Sequence, residues 1–87
     1  MILGKVIDNV WSTKKDESLT GIKLMVVKAL DEAEGRIIVA ADLIGAGIGE
    51  TVIISMGGSA ARKFAGLENT PVDAVIVGIV DERMEES

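Results

Sequence analysis

The sequence predicts an all-β domain in which five short strands and one short helix form a compact barrel. Five segments of apolar, largely β-branched residues recur along the chain, and polar or glycine-rich connections separate them. No βαβ pattern is present, which disfavours a parallel α/β fold. A length of 87 residues suits one small domain. We therefore expect a single barrel domain over residues 1–81, followed by a charged tail, 82–87.

The first strand is predicted from a simple alternation. Within residues 1–8, one face carries Ile2, Gly4 and Val6, and the other carries a lysine and two large apolar residues. Residues 11–21 are polar, charged and closed by glycine, which indicates a long loop.

The second and third strands are predicted at 22–30 and 36–42, joined by a turn at 31–35. Lys23 and Lys28 fall on opposite faces of the second strand. That placement predicts a bulge or a twist between them.

The fourth and fifth strands are predicted at 50–56 and 73–81, with a short helix, 60–64, and a loop, 66–70, between them. Ser59 precedes the helix and is a suitable N-cap, because its hydroxyl can accept a hydrogen bond from the first helical turn.

Part of the apolar surface is expected to lie between subunits. Hydrophobic residues make up 48% of the chain, which is high for a domain with so little interior. The segments 22–30 and 73–81 are nearly continuously apolar, as in strands buried on both faces. A neighbouring subunit most easily supplies the second buried face, although a loosely soluble monomer is the alternative.

The connection between the third and fourth strands is rich in glycine, with Gly45, Ala46, Gly47 and Gly49 in five residues. The spacing differs from the dinucleotide fingerprint Gly-x-Gly-x-x-Gly, and a strand follows instead of a helix. A tight connection, or close packing around a symmetry axis, is favoured over nucleotide binding. Gly47→Val is expected to disrupt assembly, since a β-branched residue tolerates positive φ poorly and fills space that a neighbour needs.

Two carboxylates and one arginine are candidates for interface contacts. Asp42 and Glu50 flank the glycine-rich connection; a carboxylate pair can perform acid–base chemistry, but solvated or interface-bonded carboxylates are favoured. Arg62 follows Ser59 and is expected to pair with a carboxylate of its own or a neighbouring chain. Together they could instead hold an anion at the helix N-terminus.

Composition disfavours several classes of function. The net charge is −5 and the only aromatic residues are Trp11 and Phe64, so nucleic acid and anionic membranes are poor partners. Cysteine and histidine are absent, which removes disulfides, thiolate chemistry and the commonest metal ligand and general base. We predict no catalytic, cofactor-binding or metal-binding residues. No apolar run approaches the roughly 20 residues that span a bilayer, and a cytoplasmic protein is expected.

The chain resembles the pentameric vertex proteins of bacterial microcompartment shells, a family that includes carboxysome and ethanolamine- or propanediol-utilisation vertex subunits. The order and spacing of four segments carry the resemblance: 11–15 with 19–24, 39–50, 58–62 and 71–81.

The resemblance implies a five-stranded, OB-like β-barrel assembled as a cyclic pentamer, with no catalysis and no cofactor. Such pentamers fill the vertices of a polyhedral shell that is otherwise tiled by hexameric proteins, so hexameric and trimeric shell proteins are the expected partners. The alternative function is an OB-like module that binds a small anionic metabolite. We expect these residues at the subunit interface or near the axis: Asp42, Gly45, Ala46, Gly47, Gly49, Glu50, Ser59 and Arg62.

Overall fold

A computed structural model describes residues 1–10, 17–19, 21–31, 33–57, 66 and 72–81 of the chain. They contain a short 3₁₀ helix, Glu17–Leu19, and five strands. The all-β prediction is confirmed. The strands are β1 (Ile2–Asn9), β2 (Leu24–Ala29), β3 (Ile37–Asp42), β4 (Thr51–Met56) and β5 (Ala74–Ile79).

The five strands close into a barrel in the order β1-β2-β3-β5-β4. Neighbouring strands are antiparallel except for β3 and β5, which run parallel. That parallel seam is short, with Ala41 opposite Val75 and Asp42 opposite Ile76. Closure of the barrel means that β5 lies across from the seam between β1 and β2.

The barrel interior is filled by the inward-facing residues of all five strands. In β2, for example, Met25, Val27 and Ala29 are buried while Lys28 is exposed, as period-two alternation requires. Gly4 marks a close approach, since a Cβ atom at this position would collide with Cγ1 of Val27. The buried core comprises Val6, Met25, Val27, Ala29, Ile38, Ala40, Ala46, Val52, Ile54, Ala74 and Ile76.

The strands lie where the sequence places them, with ends that differ by one or two residues. β2 is shorter than predicted because Ile22 and Lys23 precede the paired region. The turn at 31–35 joins β2 to β3, and Gly35 adopts a φ of 65° there. The amide of Ala29 donates to the carbonyl of Arg36, at 2.8 Å, and closes this hairpin.

The predicted bulge lies in a different strand. β2 alternates regularly from Met25 to Ala29, whereas the register with β1 shifts between Val6 and Asp8. The extra residue is therefore Ile7 of β1. The sequence argument failed because Lys23 is not part of β2, so its face relative to Lys28 carries no information on register.

The expectation that both faces of β5 are buried is confirmed for its first half, but its cause was wrong. Ala74, Val75 and Ile76 are all buried within one protomer. The outward side of Val75 is covered by Ala41 and Val72 of the same chain, and partly buried residues pack around them. The outer face of β2 differs, because Leu24 and Val26 stay partly accessible.

Several predictions fall outside the described residues. These are the helix at 60–64 with its cap Ser59, the arginine Arg62, and the tail 82–87. Of the predicted loop 66–70, only Gly66 is described, and it lies in a turn. The division into a domain at 1–81 and a tail stays a prediction.

Candidate functional site at the glycine-rich loop

The loop at residues 43–50 (hereafter the glycine loop) connects β3 to β4 and packs against the barrel. Ala46 is fully buried and belongs to the main core. At the other end of the loop, the amide of Gly49 donates to the carbonyl of Val6, at 2.8 Å, and the amide of Val6 donates to the carbonyl of Glu50, at 3.0 Å. The loop is thus fixed to β1 as well as to its own two strands.

The buried carboxylate of Asp42 organises the first half of the loop. Its Oδ1 accepts hydrogen bonds from the amides of Ile44, at 2.9 Å, and Gly45, at 3.0 Å. Its Oδ2 accepts one from the amide of Ala46, at 2.8 Å. A carboxylate is suited to this position because the buried amide of Ala46 and the two partly buried amides need an acceptor, and bonds to a charged acceptor are the stronger ones.

Lys23, which immediately precedes β2, completes this polar cluster. Its Nζ lies 3.6 Å from Oδ2 of Asp42 and 3.4 Å from the carbonyl oxygen of Ala46. The backbone amide of Asp42 in turn donates to the carbonyl of Lys23, at 2.8 Å. Sequence reasoning missed Lys23, because its contacts with Asp42 depend on the pairing of two strands and leave no local pattern.

Glu50 organises the second half of the loop. Its Oε1 accepts a hydrogen bond from the amide of Gly47, at 2.6 Å, and its own amide donates to the carbonyl of Gly47, at 3.1 Å. The two residues therefore close a turn by reciprocal bonds, which resemble those of a capping box.

Within the glycine loop, the backbone conformation favours glycine at Gly45 and Gly49, which have φ values of 98° and 95°. Gly47 has no positive φ, so strain at positive φ is wrong as a reason for an effect of Gly47→Val, whereas the predicted clash with a neighbouring chain stays a prediction. A Cβ atom at Gly47 would lie 3.4 Å from Oε1 of Glu50, which is ordinary van der Waals contact.

The glycine loop leaves its large apolar side chains accessible to solvent. Leu43, Ile44 and Ile48 are exposed by 53%, 47% and 61% respectively. An ordered loop that presents three such side chains is typical of a protein contact surface.

The expectation that Asp42 is solvated or bonded across an interface is wrong. Its side chain is inaccessible, and both oxygens are engaged by the same chain. This arrangement suits structural capping rather than acid–base chemistry.

In the described part of the chain, no group of three or more carboxylates is placed to hold a metal ion. Within the same residues, no helix has the length and apolar character needed to cross a bilayer.

Comparison with known proteins shows the family. Residues 1–81 match the family described as ethanolamine utilisation protein EutN/carboxysome. The chain belongs to this family. It is 51% identical over 84 residues to the bacterial microcompartment shell vertex protein GrpN of Rhodospirillum rubrum, with 93% of each chain covered.

Solved structures of relatives share the whole fold. The structure of CcmL from Gloeobacter violaceus has a TM-score of 0.82 and 45% sequence identity, covering 93% of this chain and 86% of that one. The structure described as the GrpN pentameric microcompartment shell protein from Rhodospirillum rubrum has a TM-score of 0.78 and 49% identity, covering 93% and 94%. The predicted resemblance is confirmed.

Proposed function

We propose that this chain is a structural shell protein that forms pentamers and caps the vertices of a polyhedral bacterial microcompartment. The observation that carries the proposal is the full-length likeness to a pentameric shell protein, at 49% identity and a TM-score of 0.78. Identity at this level over nearly all of both chains favours the same pentameric assembly for this chain. A relative described as a shell vertex protein matches over the same share of the chain.

The physical properties of the protomer support assembly. Ten large hydrophobic residues of the described part are exposed on a small domain. Closed cyclic symmetry with a repeated head-to-tail contact buries such surface without producing a filament. Pentagonal units also supply the curvature that a flat layer of hexagonal units lacks.

The glycine loop is the part of the protomer that we assign to the subunit interface or to the neighbourhood of the axis. Its bonds to Asp42 and Glu50 fix its shape before assembly, and its apolar side chains point away from the barrel core. The proposed structural residues are Asp42, Gly45, Ala46, Gly47, Gly49, Glu50, Ser59 and Arg62, of which Ser59 and Arg62 lie outside the described residues.

The role is structural rather than enzymatic. The relatives named above are shell proteins, and in this chain the loop carboxylates are occupied by backbone donors. The partners are four further copies of the chain and the hexameric and trimeric proteins that tile the rest of the shell. As a shell component, the protein lies in the bacterial cytoplasm. No observation on the described residues favours the alternative of a metabolite-binding module.

Co-production with hexameric shell proteins tests the vertex role. Closed polyhedra should form when this protein is present, and shells should be open at the corners or elongated when it is omitted. Closed shells whose corners contain none of this protein would contradict the proposal.

A further inference from the structure

Two lysines face each other on the outer side of the barrel. Lys5 of β1 and Lys28 of β2 are directly opposite in register, and both side chains are exposed. Among the described residues, neither Lys5 nor Lys28 lies within 4.0 Å of a carboxylate oxygen. Like charges directly opposite in an antiparallel pair are destabilising. The protomer alone thus gains nothing from this arrangement.

The surroundings of the two lysines are apolar. Leu3 and Leu30, which are joined by a backbone hydrogen bond, lie on one side, and Ile37 is opposite Lys28. All three are large exposed hydrophobic residues. A positive centre with apolar flanks is suited to a protein surface that offers a carboxylate beside an apolar recess.

The same chain offers such a surface farther around the barrel, on the outer face of β2 and β3 and beside the start of β5. Asp73 is exposed immediately before β5, and its carbonyl accepts the amide of Gly57, at 2.6 Å. It borders a groove of about 180 Å³ on the outer face of the barrel. The remaining lining is apolar and consists of Leu19, Leu24, Val39, Ala41 and Val72.

We propose that Lys5 and Lys28 of one protomer pair with Asp73 of the next protomer in the ring, and that the groove beside Asp73 receives the apolar side chains that flank the lysines. This inference rests on the proposed pentamer. A head-to-tail contact needs two unlike, complementary surfaces on each copy. The lysine face and the Asp73 groove differ in charge. The two lysines lie on β1 and β2, whereas the groove extends over the outer face of β2 and β3 to Asp73, next to β5.

Charge reversal tests the pairing, with ring dissociation on dilution measured by native mass spectrometry or mass photometry. The wild-type chain first establishes the ring independently, so failure of the proposed function is seen before any variant is made. K5E/K28E and D73K should each raise the concentration of half-dissociation about tenfold or more. The triple variant K5E/K28E/D73K inverts both signs and should restore most of the stability of the ring. D8K, which makes the same charge change at an exposed aspartate that does not line the Asp73 groove, is the control and should leave the ring intact.

Neutral variants give a second test, because they separate an effect on the stability of the ring from an effect on folding of the protomer. K5Q/K28Q removes the repulsion within the protomer, so its folding should be unchanged or stabilised while the ring weakens. Its ring dissociation should also lose the part of the salt dependence that screening of the lysine–aspartate pairs produces in the wild type. Rings of wild-type stability in K5E/K28E, or failure of the triple variant to recover, would overturn the proposal.

Discussion

The barrel interior and the glycine loop are held in place by different forces. The interior is apolar, and its residues are fixed by burial and close packing, which have no directional requirement. The loop is fixed by four hydrogen bonds from its backbone amides to two carboxylates, Asp42 and Glu50. Only Ala46 of the loop joins the core.

This difference explains how the loop can be both ordered and apolar on its outer surface. Since directional bonds define its shape, the side chains of Leu43, Ile44 and Ile48 are not needed to hold it and stay exposed. A loop held by apolar burial would have to turn those side chains inward. The comparison predicts that substitutions in the two regions affect different properties of the protein.

The largest effect on folding is expected in the interior. Ile54→Ala removes a fully buried side chain of β4 and leaves a cavity, which typically costs about 2–5 kcal/mol. Denaturant titration measures this loss at a protein concentration low enough for the chain to be monomeric, so that ring dissociation does not contribute. Ile48→Ala is the matched control, because the same truncation on the exposed loop should change the free energy of unfolding by about 0.5 kcal/mol or less. Equal losses in the two variants would show that the assignment of inside and outside is wrong.

The next largest effect is expected from Asp42→Asn. The amide keeps one oxygen but cannot serve all three backbone donors, and it loses the attraction to Lys23. An unsatisfied buried donor costs about 1–3 kcal/mol. Hydrogen exchange should show faster exchange at the amides of residues 44–46 and little change in the strands. Unchanged protection at these three amides would refute the organising role of the carboxylate.

Glycine substitutions separate backbone strain from packing within the loop. Gly45→Ala places a Cβ atom on a backbone with a φ of 98°, in open space, so its cost of about 1–2 kcal/mol is strain alone. Gly47→Ala has no such requirement and should destabilise the protomer by about 0.5 kcal/mol or less. Thermal unfolding measures the stability of both variants. A larger loss of stability in Gly47→Ala than in Gly45→Ala would contradict the assignment of strain to Gly45.

Ile48→Ala should have the smallest effect on the free energy of unfolding but a clear effect on assembly. If Ile48 is buried in the ring, Ile48→Ala should raise the concentration of half-dissociation about tenfold, since burial of such a side chain is worth about 1.5–3 kcal/mol. Mass photometry across a dilution series measures this shift. A dissociation curve that overlays that of the wild type would place Ile48 outside the interface.

The strands were predictable because alternation and β-branched residues are local signals. All five predicted strands are present, and Gly4 and Val6 share one face of β1 as expected, which the structure shows to be the buried one. The bulge was assigned to the wrong strand because register depends on the partner strand. The spatial order of the strands around the barrel was not predictable for the same reason, because it depends on pairing between strands that are distant in sequence.

The loop was recognisable from its three glycines, but its internal chemistry was not. The residue at which positive φ was predicted, Gly47, does not adopt it, since which glycine turns left-handed depends on the hydrogen bonds of the finished loop. Asp42 was singled out for its position, yet its role as a cap and its link to Lys23 appear only when β2 and β3 are paired. Ring size came from the family resemblance, because composition could indicate assembly but not five copies.

Native mass spectrometry of the full chain at micromolar concentration measures the number of subunits in the ring. If the chain forms a pentamer, we expect one dominant species with five times the mass of the 9.1 kDa chain. A spectrum dominated by monomer or dimer would contradict both the ring and the vertex role that depends on it.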